Sequence, residues 1–243
     1  MNTSYHKFYS RSLGRDMEYK TYGVAGRSVL VFPSQNGRFY DYEDFRMVEA
    51  VQPFIEAGKI RLICVDGIDW ETWSNAGGDP RWRIEQHERW YDYIVDELIP
   101  AVRRGDETFI ATGCSMGGFH AALFFFRRPD LFDTLLSLSG LYHAGYFFGD
   151  YSDELVYDNS VLDFLQHMPP SHPYWDLYRR RRIICCVGQG RWEDDLLAST
   201  RRLDALLAER GVPCWFDYWG YDVDHDWCWW RRQIVYFLGQ LNL

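Results

Sequence analysis

Residues Gly113-Cys114-Ser115-Met116-Gly117 place a serine between two glycines in the pattern Gly-x-Ser-x-Gly. A serine hydroxyl attacks a carbonyl poorly unless a neighbouring base takes its proton. The pattern suits that chemistry when a strand precedes it and a helix follows, because a sharp turn then lifts the hydroxyl clear of the sheet. Both conditions are expected here. Residues 108–111 have β-type character, and 118–128 form an apolar helix stopped by Pro129. Gly113 and Gly117 leave room where side chains would collide with the neighbouring strand and helix. The Met116 N–H then points to where an oxyanion would develop. Cys114 is turned away from the cleft and is read as packing.

The base must be a histidine that the fold carries to the serine. Seven are available: His6, His87, His120, His143, His167, His172 and His225. In a Ser…acid…His order the histidine follows the last strand, and only His225 does so. It sits in Gly220-Tyr221-Asp222-Val223-Asp224-His225-Asp226-Trp227, a polar loop between the final strand and helix. The acid should follow the strand at 183–187. The turn there is Gly188-Gln189-Gly190-Arg191-Trp192-Glu193-Asp194-Asp195. Glu193 is the first choice and Asp194 the second, with Asp195 read as a first-turn partner of the helix dipole. A second oxyanion donor is expected from Pro33-Ser34-Gln35-Asn36-Gly37, with Gln35 before Asn36. His120 is read as a packed or solvated histidine, and Asp224 and Asp226 as surface acids.

Other chemistries lack their residues. Gly188-Gln189-Gly190 is not a dinucleotide fingerprint, since Glu193 stands where a third glycine is required. There is no P-loop and no His-Glu-x-x-His. Asp222, Asp224 and Asp226 with His225 lack the spacing and glycine of a calcium loop. No metal and no organic cofactor is expected.

The elements that must position these residues alternate along the chain. Residues 1–22 alternate aromatic and polar types around Gly14 and predict an antiparallel hairpin at a sheet edge. Strands are expected at 28–32, 60–65, 108–111, 135–138, 183–187 and 212–219. Helices are expected at 42–57, from Pro80 to a last turn disturbed by Pro100, and at 118–128, 193–210 and 227–241. Residues 142–178 read as an irregular aromatic excursion over the active site. The order predicts an α/β fold in one domain, 1–243, with a mostly parallel central sheet, an N-terminal antiparallel hairpin and helices on both faces. Catalytic loops then gather at the carboxyl ends of the strands.

Composition agrees with an ordinary globular chain: 243 residues, 47% hydrophobic, 25% charged and 18% aromatic. The net charge of −9 argues against nucleic acid as a partner. No run approaches a membrane span, so no membrane partner is expected. Met1 to Ser10 contains no apolar run, so no secretory signal is expected. The six cysteines show no disulfide or zinc spacing, which suits a cytoplasmic protein. The sequence allows a homo-oligomer.

With these residues assembled, the chain resembles the esterase family of α/β-hydrolases that includes esterase D-like enzymes, feruloyl esterases and antigen 85 mycolyltransferases. The resemblance runs from about Arg15 to Leu238. It is carried by Asp96-Glu97-Leu98-Ile99-Pro100, by Gly113 to Gly118, by Arg128-Pro129-Asp130-Leu131-Phe132, by Ser137-Leu138-Ser139-Gly140, and by His225-Asp226-Trp227 with Trp230. It implies the α/β-hydrolase fold, Ser115 as nucleophile and His225 as base. The family often has His-Gly after its first parallel strand, where this chain has Pro33-Ser34-Gln35. Its acid turn commonly reads Gly-x-x-Asp, and here the carboxylates come later. The expected function is hydrolysis of a small-molecule carboxylic ester through an acyl-enzyme. The alternatives are an acyltransferase with the same triad, or a non-catalytic binding protein on this fold.

Overall fold

The computed structural model describes residues 1–243. Its centre is an eight-stranded sheet in the order β1-β2-β4-β3-β5-β6-β7-β8. The strands are β1 Thr3–Ser10, β2 Arg15–Tyr22, β3 Arg27–Phe32, β4 Ile60–Val65, β5 Phe109–Cys114, β6 Phe132–Leu138, β7 Arg182–Val187 and β8 Trp215–Tyr218. β1 and β2 form the antiparallel hairpin at one edge, and β2 also runs antiparallel to β4. Every pairing from β4 to β8 is parallel. Parallel strands buried on both faces need apolar side chains in both directions, and β3 shows the result. Leu30 and Phe32 enter one core, while Val29 and Val31 enter the other.

Helices cover both faces. Chain order gives α1 Asp41–Asp44, α2 Met47–Glu56, α3 Pro80–Asp92, a π-helical segment Tyr93–Leu98, α4 Ile99–Val102, α5 Met116–Arg127, α6 Gly145–Phe148, α7 Glu154–Asp158, α8 Val161–His167, α9 Tyr174–Tyr178, α10 Asp194–Glu209 and α11 Trp227–Gln240. Apolar residues of α2 and α11 share the smaller core, and those of α3, α5, α8 and α10 the larger one. None of these helices is long and apolar enough to cross a membrane.

Several boundaries differ from the sequence expectation, each for a local reason. The helix expected at 42–57 breaks into α1 and α2 at Arg46, whose φ is 62°. The periodicity of Phe45, Val48, Val51 and Ile55 does not register that reversal. Around Pro100 the distortion lies upstream, in the π-helical turn Tyr93–Leu98, and the helix continues to Val102. A proline ring crowds the carbonyl four residues earlier, and a widened turn relieves that crowding. β8 starts at Trp215 rather than at 212, because Pro213 has no N–H for a ladder. Residues 142–178 are not irregular: they contain the four short helices α6 to α9. Each is too short for a periodic signal.

Candidate active site

β5 delivers Ser115. The strand runs to Cys114, and α5 begins at Met116, so Ser115 alone makes the reversal, with φ 57° and ψ −121°. Holding a non-glycine residue at positive φ takes a rigid surround. The Ser115 N–H donates to Leu138 O at 2.9 Å. Both glycines are sterically required. A Cβ on Gly113 would lie 2.4 Å from the Gly117 carbonyl carbon, and one on Gly117 would lie 2.4 Å from Phe32 O. The Cys114 side chain points into the core between the sheet and α2–α11, where burial pushes its thiol well above the ordinary range.

β8 and α11 deliver His225. Its N–H donates to Arg191 O at 3.0 Å, and the Gly190 N–H donates to Val223 O at 2.9 Å. These bonds join the two loops that follow β7 and β8. The Asp224 carboxylate accepts from the Arg191 side chain at 2.7 and 2.9 Å and from its backbone N–H at 2.8 Å. The Arg191 guanidinium holds that carboxyl below the ordinary range. Asp226 caps α11, accepting from the Cys228 N–H at 2.9 Å. The His225 ring stands edge-on to Trp230, with centroids 4.8 Å apart.

The structure brings Ser115, His225 and Glu193 together. His225 Nε2 lies 2.8 Å from Ser115 Oγ. On the far side of the ring, Nδ1 lies 3.2 Å from Glu193 Oε2. This is an ion-pair distance, but the ring N–H is not aimed along it, so the contact is not a formed hydrogen bond. Glu193 is 1% exposed, at the N-cap position of α10. Its Oε1 accepts from Ser139 Oγ at 2.6 Å, and the Trp230 indole N–H donates to the same Ser139 Oγ at 3.1 Å. Asp194 does not join them. It stands exposed in the first turn of α10 beside Asp195, where an acid complements the helix dipole.

Ser115 and His225 open on a cavity of about 210 Å³, lined also by Gln35, Met116, Leu141, Tyr146, Phe147, Trp192, Asp195 and Leu196. Met116 is the first residue of α5, where a backbone N–H has no intrahelical acceptor. The Gln35 N–H donates to no protein group, and the Gln35 amide donates to Ser74 Oγ at 2.9 Å. Asn36, at φ 58°, lies outside the lining. Of the aromatic excursion, Tyr146 and Phe147 reach the cavity, while Tyr142, Phe148 and Trp175 are buried in the core. Trp73 is also core, and neither Trp70 nor Trp82 lines the cavity.

The sequence reading missed Ser139 as the partner of Glu193 and Trp230 as the partner of Ser139. Ser139 follows β6 at φ 49°, an unusual angle for a serine. The string Ser137-Leu138-Ser139-Gly140 marks the place, but its side-chain contact is with a residue 54 positions away.

The parallel sheet, the strand–turn–helix at Ser115 and the loops at the strand ends are those of an α/β-hydrolase. The chain belongs to the putative esterase family, whose model, described as "Putative esterase", matches residues 10–241. The family match makes the chain an esterase, a hydrolase of carboxylic esters. No curated protein sequence matches the chain. Among solved structures it is similar to a ferulic acid esterase, with 16% identity over 98% of this chain and 96% of that one and a TM-score of 0.75. The S-formylglutathione hydrolase FrmB from Staphylococcus aureus gives 15% identity, 99% coverage of both chains and a TM-score of 0.65. Mycobacterium tuberculosis MPT51 gives 16% identity, coverage of 98% and 97%, and a TM-score of 0.66. At these identities the likeness is one of fold.

Proposed function

We propose that this chain is a serine esterase in which Ser115 attacks the ester carbonyl, His225 moves the proton and Glu193 orients His225. The observation that carries this reading is the 2.8 Å contact between His225 Nε2 and Ser115 Oγ. His225 takes the hydroxyl proton as the Ser115 Oγ–carbon bond forms. The carbonyl oxygen becomes an oxyanion held by the Met116 and Gln35 N–H groups. Collapse breaks the bond to the leaving group, which receives the proton from His225. Water, deprotonated by His225, then releases the acid and restores Ser115. When His225 carries two protons, the Nδ1–Glu193 contact becomes a charge-assisted bond and tightens. Catalytic hydrogen bonds are often loose before substrate binds.

The cavity lining holds Asp195 and no lysine or arginine, which disfavours acyl groups that carry a negative charge. All six cysteines are free thiols, which supports a reducing, cytoplasmic setting.

The test is labelling with a fluorophosphonate probe, comparing the unmodified protein with Ser115→Ala and His225→Ala. Labelling of the unmodified protein that is lost in both variants is expected. Folded protein that takes no label would overturn the reading and leave a binding protein on this fold.

A further inference from the structure

We propose that the buried pair Asp69 and His120, working through Ser74, is a positioning device that sets where the Gln35 N–H stands. The inference rests on the reading above, in which Met116 and Gln35 are the oxyanion donors. Those two donors belong to different parts of the chain. Met116 opens α5, and Gln35 lies in the loop after β3. Ser34 Oγ donates to Cys114 O at 3.0 Å and Gly117 packs on Phe32 O, so the near side of the Gln35 loop is held directly by the Ser115 turn. The far side needs its own hold, because a donor displaced by about 1 Å loses much of its value.

A continuous path links them. His120 lies on α5, one helical turn beyond Met116, and is 1% exposed. Its Nε2 is 3.0 Å from Asp69 Oδ1, and Asp69 is 3% exposed. Neither residue has another side-chain partner: Asp69 Oδ2 and His120 Nδ1 are buried and unbonded. The pair is therefore the side-chain hydrogen bond that ties α5 to loop 66–79, beside the packing of Trp73 on Phe119 with ring centroids 4.7 Å apart. Within that loop, Asp69 O accepts from the Thr72 N–H at 3.1 Å and the Ser74 N–H at 2.8 Å. Ser74 Oγ then accepts from the Gln35 amide at 2.9 Å. The same loop holds the other end of the Gln35 segment. Arg38 Nε donates to Asp66 Oδ1 at 2.6 Å, and a Cβ on Gly67 would lie 2.9 Å from Pro33.

An ordinary core histidine would need only its packing, and His120 has that too, with ring centroids 4.9 Å from Trp90 and 5.6 Å from His87. What packing does not account for is a buried carboxylate whose one side-chain contact is His120. Such a group is costly unless it is paired, and His120 is the partner that offsets the cost. Asp69 fixes the turn whose end touches Gln35.

The experiment measures steady-state hydrolysis of 4-nitrophenyl acetate by Ser74→Ala, Gln35→Ala and the double variant, with Asp69→Asn beside them. Ser74 is only partly buried, so its variant keeps the fold. Ser74→Ala is expected to lower kcat about tenfold with KM within about twofold, a partial version of losing an oxyanion donor. Ser74→Thr restores the rate. The double variant is expected to be no worse than Gln35→Ala alone, because both break the same link. A second readout does not need activity: amide exchange in residues 34–37 should quicken in Ser74→Ala and Asp69→Asn, with β5 unchanged. Unchanged kcat and unchanged exchange in Ser74→Ala would overturn the tether. Fluorophosphonate labelling of the unmodified protein separates this failure from failure of the Ser115 reading.

Discussion

Ser139 Oγ donates to Glu193 Oε1 at 2.6 Å, on the carboxylate oxygen that does not face His225. The bond orients Glu193 from behind and leaves Oε2 for the histidine. Hydrogen bonds to charged groups contribute about 1.5–3 kcal/mol, so Ser139→Ala should lower kcat/KM roughly tenfold or more if Glu193 acts in the reaction. Ser139 sits at φ 49°, where alanine is strained and glycine is not. Ser139→Gly should show the same loss, which assigns it to the hydroxyl. Ester hydrolysis by both variants, beside their melting temperatures, checks this.

The two acids considered for the triad should behave oppositely. Glu193→Gln keeps the shape but places an amide against His225, and a loss of kcat of about 10²- to 10⁴-fold is expected. Asp194 is exposed on α10, and Asp194→Asn should change kcat by less than about twofold. A large loss in Asp194→Asn with little in Glu193→Gln would reverse the assignment.

Gly117 packs against the backbone of the loop carrying Gln35. A Cβ there meets Phe32 O at 2.4 Å and Pro33 O at 2.8 Å, and neither is a flexible group. Gly117→Ala should cost about 3 kcal/mol and lower Tm by about 6–12 °C. Calorimetry of the purified variant is the measurement. A variant that melts with the unmodified protein would contradict the packing described.

Glu107 predicts an acid-sensitive stability. Burial alone would raise its carboxyl. Hydrogen bonds from the Arg104 side chain and backbone, Ser28 and Arg61 outweigh that and pull it down to about 2, against 4.5 unperturbed. A lowered folded-state value means that the unfolded chain binds the proton first. The stabilisation is therefore complete above about pH 5 and is lost as pH falls toward 2, on the order of 2–3 kcal/mol in all. Urea midpoints between pH 2 and 6 should fall less steeply on acidification in Glu107→Gln than in the unmodified protein.

The sequence by itself determined the sheet's strand types, the turn at Ser115 and the loop of His225. Each of these follows from local sterics, periodicity or chain order: Gly113 and Gly117 at a strand–helix junction, apolar runs bounded by glycine and proline, and a histidine in the polar loop after the last strand. The break at Arg46 and the short helices of 142–178 escaped it, because four- to seven-residue helices carry too few turns to display a period. The choice between Glu193 and Asp194 was left to tertiary structure. Adjacent residues at a helix start point in different directions, and only the packing of α10 against β7 and α8 decides which carboxylate is buried. The Ser139–Glu193, Asp69–His120 and Ser74–Gln35 contacts join residues 54, 51 and 39 positions apart. No spacing rule connects them. They exist because parallel strands bring their carboxyl ends to one side of the sheet, and the loops there meet only once the chain is folded.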